Sequence, residues 1–288
     1  MTVPRSMKKV ARKLFIVWLG FYATVSQAQS PTISSWEAKA DTLYKSEKFG
    51  EAEIWYSKIL SEARKKGEEI PYTVLYKRGV CYFSTEQFDK AEADLNVFVQ
   101  ANPSSFQGRI LRGLIYQALE NPDGQLKDVN AAIQLQGNNP NLLRWRGGLY
   151  LQREEYDSAK HDLLIVRQFG DDPEVEMNLG MAYFNTHKPD SAFLSINRSI
   201  ELNATNLSVY LYGATFSLQE ERYEQALQYL KLGQRIDPQN PSIQFYKGIS
   251  LIELKREKEG CSCLGKAFVA GMDEAGDYLQ QYCWNLED

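Results

Sequence analysis

The residues best equipped for covalent or metal chemistry are four cysteines, Cys81, Cys261, Cys263 and Cys283, and the only two histidines, His161 and His187. A tetrahedral zinc site needs four thiolate, imidazole or carboxylate ligands. Cys261, Cys263 and Cys283 supply three, and both histidines lie far upstream. No metal is expected. If the segments carrying these cysteines form a helical hairpin turning near Met272, Cys261 and Cys283 each stand 11 residues from the turn and lie level. Cys263 is displaced toward the turn by about 3 Å, at roughly 1.5 Å per helical residue. In an oxidising compartment that geometry favours Cys261–Cys283 as a disulfide. Cys263 as the partner, or all three as small buried side chains, are alternatives that stay open. Cys81 falls two residues after Gly79, where a small core residue fits.

A hydrolase would hold a nucleophile against a base. Neither histidine stands at a recognisable spacing from a serine or cysteine, and no Gly-x-Ser-x-Gly elbow occurs. The Gly-x-Gly-x-x-Gly fingerprint is missing too, and no phosphate-binding loop is expected. These residues advertise neither an enzyme nor a cofactor.

The elements that position them are repetitive. A small residue returns at Ala40, Gly79, Gly113, Gly147, Gly180, Ala214 and Gly248, at intervals of 39, 34, 34, 33, 34 and 34. Large side chains follow three residues later at Leu43, Tyr82, Tyr116, Tyr150, Tyr183 and Leu251. A second small residue comes twelve later at Ala52, Ala91, Ala159, Ala192 and Ala226. Two antiparallel helices approach closely only where small side chains face the partner, so each copy reads as a helical hairpin. Predicted first helices run near 33–46, 71–84, 105–118, 140–152, 173–185, 207–219 and 241–254. Second helices follow near 49–66, 87–101, 123–136, 155–168, 188–201, 223–235 and 257–270. Pro103, Pro140, Pro173 and Pro238 punctuate the linkers. Gln125 and Gly260 replace the second alanine in the third and seventh copies, which predicts helix pairs seated slightly differently. Extra residues before Ile70 and Pro71 predict a longer second helix or loop in the first copy.

This pattern resembles the tetratricopeptide repeat over roughly residues 33 to 270, most clearly in LYKRGVCYFSTEQFDKAEADLNVFVQANP at 75–103 and LYGATFSLQEERYEQALQYLKLGQRIDP at 211–238. The resemblance implies an all-α fold: a right-handed superhelical solenoid of about seven helix-turn-helix repeats plus a C-terminal capping helix. The chain divides into residues 1–28, an array over 29–272, and a cap and tail over 273–288. The ending, GCSCLGKAFVAGMDEAGDYLQQYC at 260–283, is similar to the C-terminal unit of exported Bacteroidetes-type repeat proteins.

In that family a concave groove is lined by first-helix residues three before, one after and four after the small position. The resemblance places there Tyr76, Val80 and Phe83; Ile110, Leu114 and Gln117; Arg144, Gly148 and Leu151; Met177, Met181 and Phe184; Leu211, Thr215 and Leu218; and Phe245, Ile249 and Ile252. Each trio lies on one stripe of its helix. Two readings compete: neighbouring helices close the stripe by packing, or it takes a helix or extended peptide of a partner. Met177 and Met181 suit an adaptable surface. The basic and asparagine clamp that some members use for acidic tails is incomplete, with only Asn178 and Arg144 present.

Arg5, Lys8, Lys9, Arg12 and Lys13, then an apolar run from Leu14 to Val25, then Ser26-Gln27-Ala28 read as a secretory signal peptide. The apolar run is short for a membrane span of about 20 residues. Cleavage would remove five of 33 basic residues and no acidic ones, leaving 28 against 37 and a net charge of −9. An acidic chain without a basic stripe suits no nucleic acid. The expectation is a non-enzymatic scaffold for protein partners, exported to the periplasm or outer membrane of a Gram-negative bacterium. The alternative is an accessory subunit of a carbohydrate or peptidoglycan complex, touching glycan through exposed aromatics.

Overall fold

The computed structural model describes residues 31–283. The expected signal peptide, residues 1–28, lies outside them. Among the described residues there are fifteen helices and no strand. They are α1 (Pro31–Lys45), α2 (Phe49–Lys66), α3 (Tyr72–Ser84), α4 (Phe88–Ala101), α5 (Phe106–Ala118), α6 (Pro122–Gln136), α7 (Pro140–Gln152), α8 (Tyr156–Arg167), α9 (Pro173–Asn185), α10 (Pro189–Leu202), α11 (Leu207–Gln219), α12 (Tyr223–Ile236), α13 (Pro241–Glu253), α14 (Glu257–Val269) and α15 (Glu274–Tyr282). The first fourteen pair into hairpins 1 to 7, and α15 follows hairpin 7. Two compact units divide at Leu142 and Leu143, near the start of α7. α1 to α6 form the first unit; α7 is described with the second.

Each hairpin turns the same way. The residue seven beyond the small position has positive φ in every copy: Glu47, Glu86, Glu120, Glu154, His187, Glu221 and Lys255, with φ between 54° and 64°. The next amide then reaches back to a carbonyl five residues earlier, as in Asn121 N to Tyr116 O at 2.8 Å and Arg222 N to Ser217 O at 2.7 Å. This satisfies carbonyls that the ending helix would otherwise leave bare. Second helices start at once, and the linkers after them end in caps such as Asp172, whose carboxylate accepts from the amides of Glu174 and Val175. Pro122, Pro173, Pro189 and Pro241 occupy first-turn positions, where a missing amide costs nothing.

Close approach is the reason for the recurring small residues. A Cβ built on Gly79 would stand 2.0 Å from the Leu95 side chain, one on Gly180 2.9 Å from Ile196, and one on Gly248 2.7 Å from Leu264. The partner is always sixteen residues on. Hairpin 6 adds a variant, because Gly213, one residue before Ala214, receives the Tyr229 ring. Hairpin 7 is tighter than hairpins 2, 4 and 5: with glycine at both small positions, a Cβ on Gly248 would lie 3.1 Å from the Gly260 carbonyl, against 3.8 Å for Gly79 and Ala91. The altered seating expected from Gly260 is thus a closer one. Hairpin 1 accommodates its extra residues with an 18-residue α2 and a left-handed Gly67 C-cap.

In the first unit Ala52, Tyr56, Ile59, Val74 and Leu75 join one buried cluster. In the second, Phe193, Ile196, Val209, Tyr210, Phe216 and Leu230 join another. At the end of the second unit α15 lies over Phe245, Ile252, Leu264 and Ala267. Cys261 and Cys283 are disulfide-bonded with Cα atoms 5.7 Å apart, while Cys81 and Cys263 are free and buried. No described helix is long and apolar enough to cross a membrane.

Candidate partner-binding surface

The residue just before each small position faces the one sixteen places later across its hairpin. In hairpins 2, 3 and 4 these are Arg78 with Asp94, Arg112 with Asp128, and Arg146 with Asp162. Each guanidinium grips its carboxylate with two nitrogens, at 2.6 to 2.8 Å. All three carboxylates are buried. Each guanidinium also lies over a tyrosine ring four residues on, Tyr82, Tyr116 or Tyr150, at 5.4 to 5.7 Å. Two of them stitch to the preceding hairpin, Arg78 to Ser57 Oγ at 3.0 Å and Arg112 to Asn96 Oδ1 at 2.9 Å. Asp128 holds Arg109 as well, at 2.9 Å. Bidentate, doubly anchored charges of this kind fix geometry. The hydrogen bonds that Arg146 donates to Asp162 hold its guanidinium above the ordinary value.

The stripe expected to line a groove behaves differently in the two units. In the first unit Val80, Phe83, Ile110 and Leu114 are buried, and Tyr76 leans against Phe98 with ring centroids 5.1 Å apart. These four side chains are packing residues rather than an open lining. In the second unit the stripe of α9 and α11 stays partly open at Met177, Met181, Phe184, Leu211, Thr215 and Leu218. Met177, Met181, Phe184 and Leu211 rest on the buried cluster beneath. Phe184 stacks on Phe216 at 4.1 Å and 5°, and Asn206 Nδ2 reaches Met177 Sδ at 3.7 Å. Leu151 and Gly148 on α7 are partly open too, whereas Arg144 is tied to the capping Asp172 at 2.7 Å. On α13, Phe245 and Ile252 are buried and only Ile249 keeps partial exposure, because α15 covers that helix. Phe245 is a further correction to the expected open lining.

Other clusters carry less. Trp36 and Trp55 stand 6.5 Å apart on hairpin 1, with Lys58 4.0 Å above Trp36 and Lys39 4.1 Å above Trp55. An open polar cleft of about 590 Å³ lies between the hairpin turns at Glu154–Asp157 and Asn185–Lys188. It contains His187, but its acids and lysines are largely solvated, and Lys160 is paired with Asp157. The run Gly260 to Lys266 has Gly-x-x-x-x-Gly-Lys spacing, yet Ala267 stands where the hydroxyl should follow and every residue is helical within α14. Burial pushes the thiols of Cys81 and Cys263 up, which makes them poor nucleophiles.

Comparison with known proteins agrees with this architecture. The family model "Tetratricopeptide repeat" matches residues 73–105. The type IV pilus assembly protein PilF of Pseudomonas aeruginosa is 24% identical over 203 residues, 69% of this chain and 80% of PilF. The solved PilF structure superposes with a TM-score of 0.56 at 22% identity, covering 73% of this chain and 97% of that one. The C-terminal part of a repeat-containing protein from Cytophaga hutchinsonii gives 0.63 at 18% identity, covering 83% and 98%. YrrB, a repeat protein described as having an unusual peptide-binding site, gives 0.53 at 16% identity, covering 65% and 97%. At these identities the solved structures establish the fold.

Proposed function

We propose that this protein, whose hairpins are tetratricopeptide repeats, is a non-enzymatic scaffold that holds a partner protein on the partly open stripe of α9 and α11. The observation that carries the reading is the contrast along one stripe of the first helices. Where α3 and α5 bury Val80, Phe83, Ile110 and Leu114, the second unit leaves Met177, Met181, Phe184, Leu211 and Leu218 within reach of water. Partly exposed apolar side chains set on a fixed helix suit the i, i+3, i+4 anchors of an amphipathic helix or the alternate residues of an extended peptide. Two unbranched methionines let the surface adapt to its occupant. Leu151 and Ile249 lie at the equivalent positions on α7 and α13.

The mature chain of this proposal begins after Ala28, with the array over 29–272 and the cap and tail over 273–288. Export to the periplasm or outer membrane is supported by the amino-terminal pattern and by similarity to a pilus assembly protein. The test is cross-linking with mass spectrometry in the native envelope, comparing wild type with Met181→Asp and Leu211→Asp. Cross-links from α9 and α11 to a partner segment should fall at least tenfold while the melting midpoint moves little. Unchanged cross-linking in both variants would remove the stripe from consideration.

A second reading rests on the Trp36–Trp55 pair, whose partly exposed indoles under two lysines offer sugar rings both a stacking face and a charge. It makes the protein an accessory subunit of a carbohydrate or peptidoglycan complex. Glycan-array binding that disappears in Trp36→Ala would favour it over the scaffold reading.

A further inference from the structure

Sulfur that an oxidant can reach is unevenly spread over this chain. Of the five methionines, Met1 and Met7 belong to the expected signal peptide and Met272 lies between α14 and α15. The other two, Met177 and Met181, stand one helical turn apart on α9, and both are partly open to solvent. No other hairpin has methionine at either position; hairpin 3 has Ile110 and Leu114 there, and hairpin 6 has Leu211 and Thr215. The cysteines offer no rival. Cys261 and Cys283 are already bonded, and burial pushes the thiols of Cys81 and Cys263 up, away from the thiolate that oxidants attack. A thioether needs no deprotonation before it reacts.

Both methionines rest on the buried cluster that holds Ile196, Val209 and Phe216 rather than inside it. An oxygen added to either sulfur therefore alters the surface and leaves the packing beneath intact. The Asn206 amide donates to Met177 Sδ at 3.7 Å, so a polar group already stands at that sulfur, and the same amide can donate to a sulfoxide oxygen. Phe184, three residues beyond Met181, is stacked on Phe216 at 4.1 Å, and neither ring reacts with peroxide. An oxidised stripe thus keeps its apolar floor and loses two of the side chains that would meet a partner.

We propose that Met177 and Met181 form a reversible oxidation site whose modification releases the partner from the stripe of α9 and α11, an inference that rests on the scaffold reading. The oxidant is a peroxide. A sulfur lone pair attacks one peroxide oxygen and the O–O bond breaks; the other oxygen leaves as hydroxide and takes up the proton of the transferred one. The products are sulfoxide and water, with sulfur oxidised by two electrons. A dithiol reductase reverses the step, returning the thioether and leaving as a disulfide with one molecule of water. Each added oxygen turns a flexible apolar side chain into a polar one. An apolar partner side chain seated there would strip water from the sulfoxide without offering a hydrogen bond in exchange.

The experiment treats residues 29–288 with hydrogen peroxide as probe, quenches it, maps the added oxygens by peptide mass spectrometry, and cross-links the chain in native envelopes. Met272→Leu and Met177→Leu/Met181→Leu are carried alongside. Met177 and Met181 should each gain one oxygen, cross-links from α9 and α11 should fall at least tenfold, and the melting midpoint should hold. Methionine sulfoxide reductases with dithiothreitol should restore the cross-links. Met272→Leu should respond to peroxide as the wild type does. In Met177→Leu/Met181→Leu the ratio of treated to untreated cross-linking should stay near one, whatever its starting level. The gate alone is overturned if the untreated chain cross-links through α9 and α11 and the doubly oxidised chain does so equally. It is also overturned if both sulfurs resist peroxide while Met272 reacts, if the reductases restore nothing, or if oxidation melts the array. An untreated chain that forms no cross-links through α9 and α11 would sink the scaffold reading itself, and the gate with it.

Discussion

Hairpins 2 to 4 and hairpins 5 to 6 solve one packing problem in two ways. At the two positions that face each other across the hairpin, the earlier copies place arginine and aspartate, whereas the later ones place Leu179 with Ser195 and Gly213 with Tyr229. Hairpin 1 has Lys39 over Trp55 and hairpin 7 has Lys247 with Cys263 at the same pair. Both groups keep the small residue next door, and a Cβ on Gly79, Gly147 or Gly180 would meet the side chain sixteen residues on. A buried ion pair is thus an option of this hairpin rather than a requirement. What it adds is orientation: each guanidinium is fixed by its aspartate and its tyrosine, and those of Arg78 and Arg112 by the preceding hairpin as well. Hairpins 5 and 6 lack that clamp and leave their stripe partly open, but clamped hairpin 4 is also partly open at Gly148 and Leu151, and clamp-free hairpin 7 buries Phe245 and Ile252.

The sharpest way to break the comparison is Asp128→Ala. It strands Arg109 and Arg112 in a buried site and should cost about 3–5 kcal/mol in chemical denaturation. Replacing both partners, Arg78→Leu with Asp94→Ser as in hairpin 5, should cost far less than Asp94→Ala alone; an equal or larger loss would show that the early hairpins depend on the charge itself. Next in size, Val80→Asp should destabilise by about 3 kcal/mol or more, because an unpaired charge enters packed surroundings. Met181→Asp at the same stripe position should cost under about 1 kcal/mol, and comparable losses would abolish the distinction between closed and open stripes. Gly248→Ala should cost about 1–3 kcal/mol by overpacking against Leu264 and the Gly260 carbonyl. A smaller effect of opposite sign is expected from Glu120→Gly, since a non-glycine residue at φ 54° is strained and its relief should add about 0.5–1 kcal/mol in thermal melting.

The smallest effect is one of pH. Burial raises the thiols of Cys81 and Cys263, so the fold favours their neutral form. That stabilisation is complete below the ordinary thiol value of about 8.5 and is lost as the pH climbs toward the raised folded values. Melting midpoints should hold steady from pH 6 to 8 and decline above about 9, with both thiols resisting alkylation at pH 8.

The helices were legible because the small residues recur where helices must touch, and the observed ends fall within two residues of the spacing-based ones. The Arg–Asp pairs were not read, although the signal was there: Arg-Gly recurs at 78–79, 112–113 and 146–147, with aspartate sixteen residues on each time. Sixteen residues exceeds any contact within one helix, so the pairing is visible only when the hairpin is closed. Nor could spacing tell closed stripes from open ones. Val80 and Met181 hold one position in the repeat, and their difference in burial comes from what neighbouring helices present.

The turn inside each hairpin is closed by main-chain groups, with Glu, His or Lys at its left-handed residue as circumstance allows. A joint indifferent to its side chain can be duplicated without being redesigned. A lineage bearing it can lengthen its gripping surface by copying a single module of DNA, leaving each new copy free to diverge on the faces that meet other molecules.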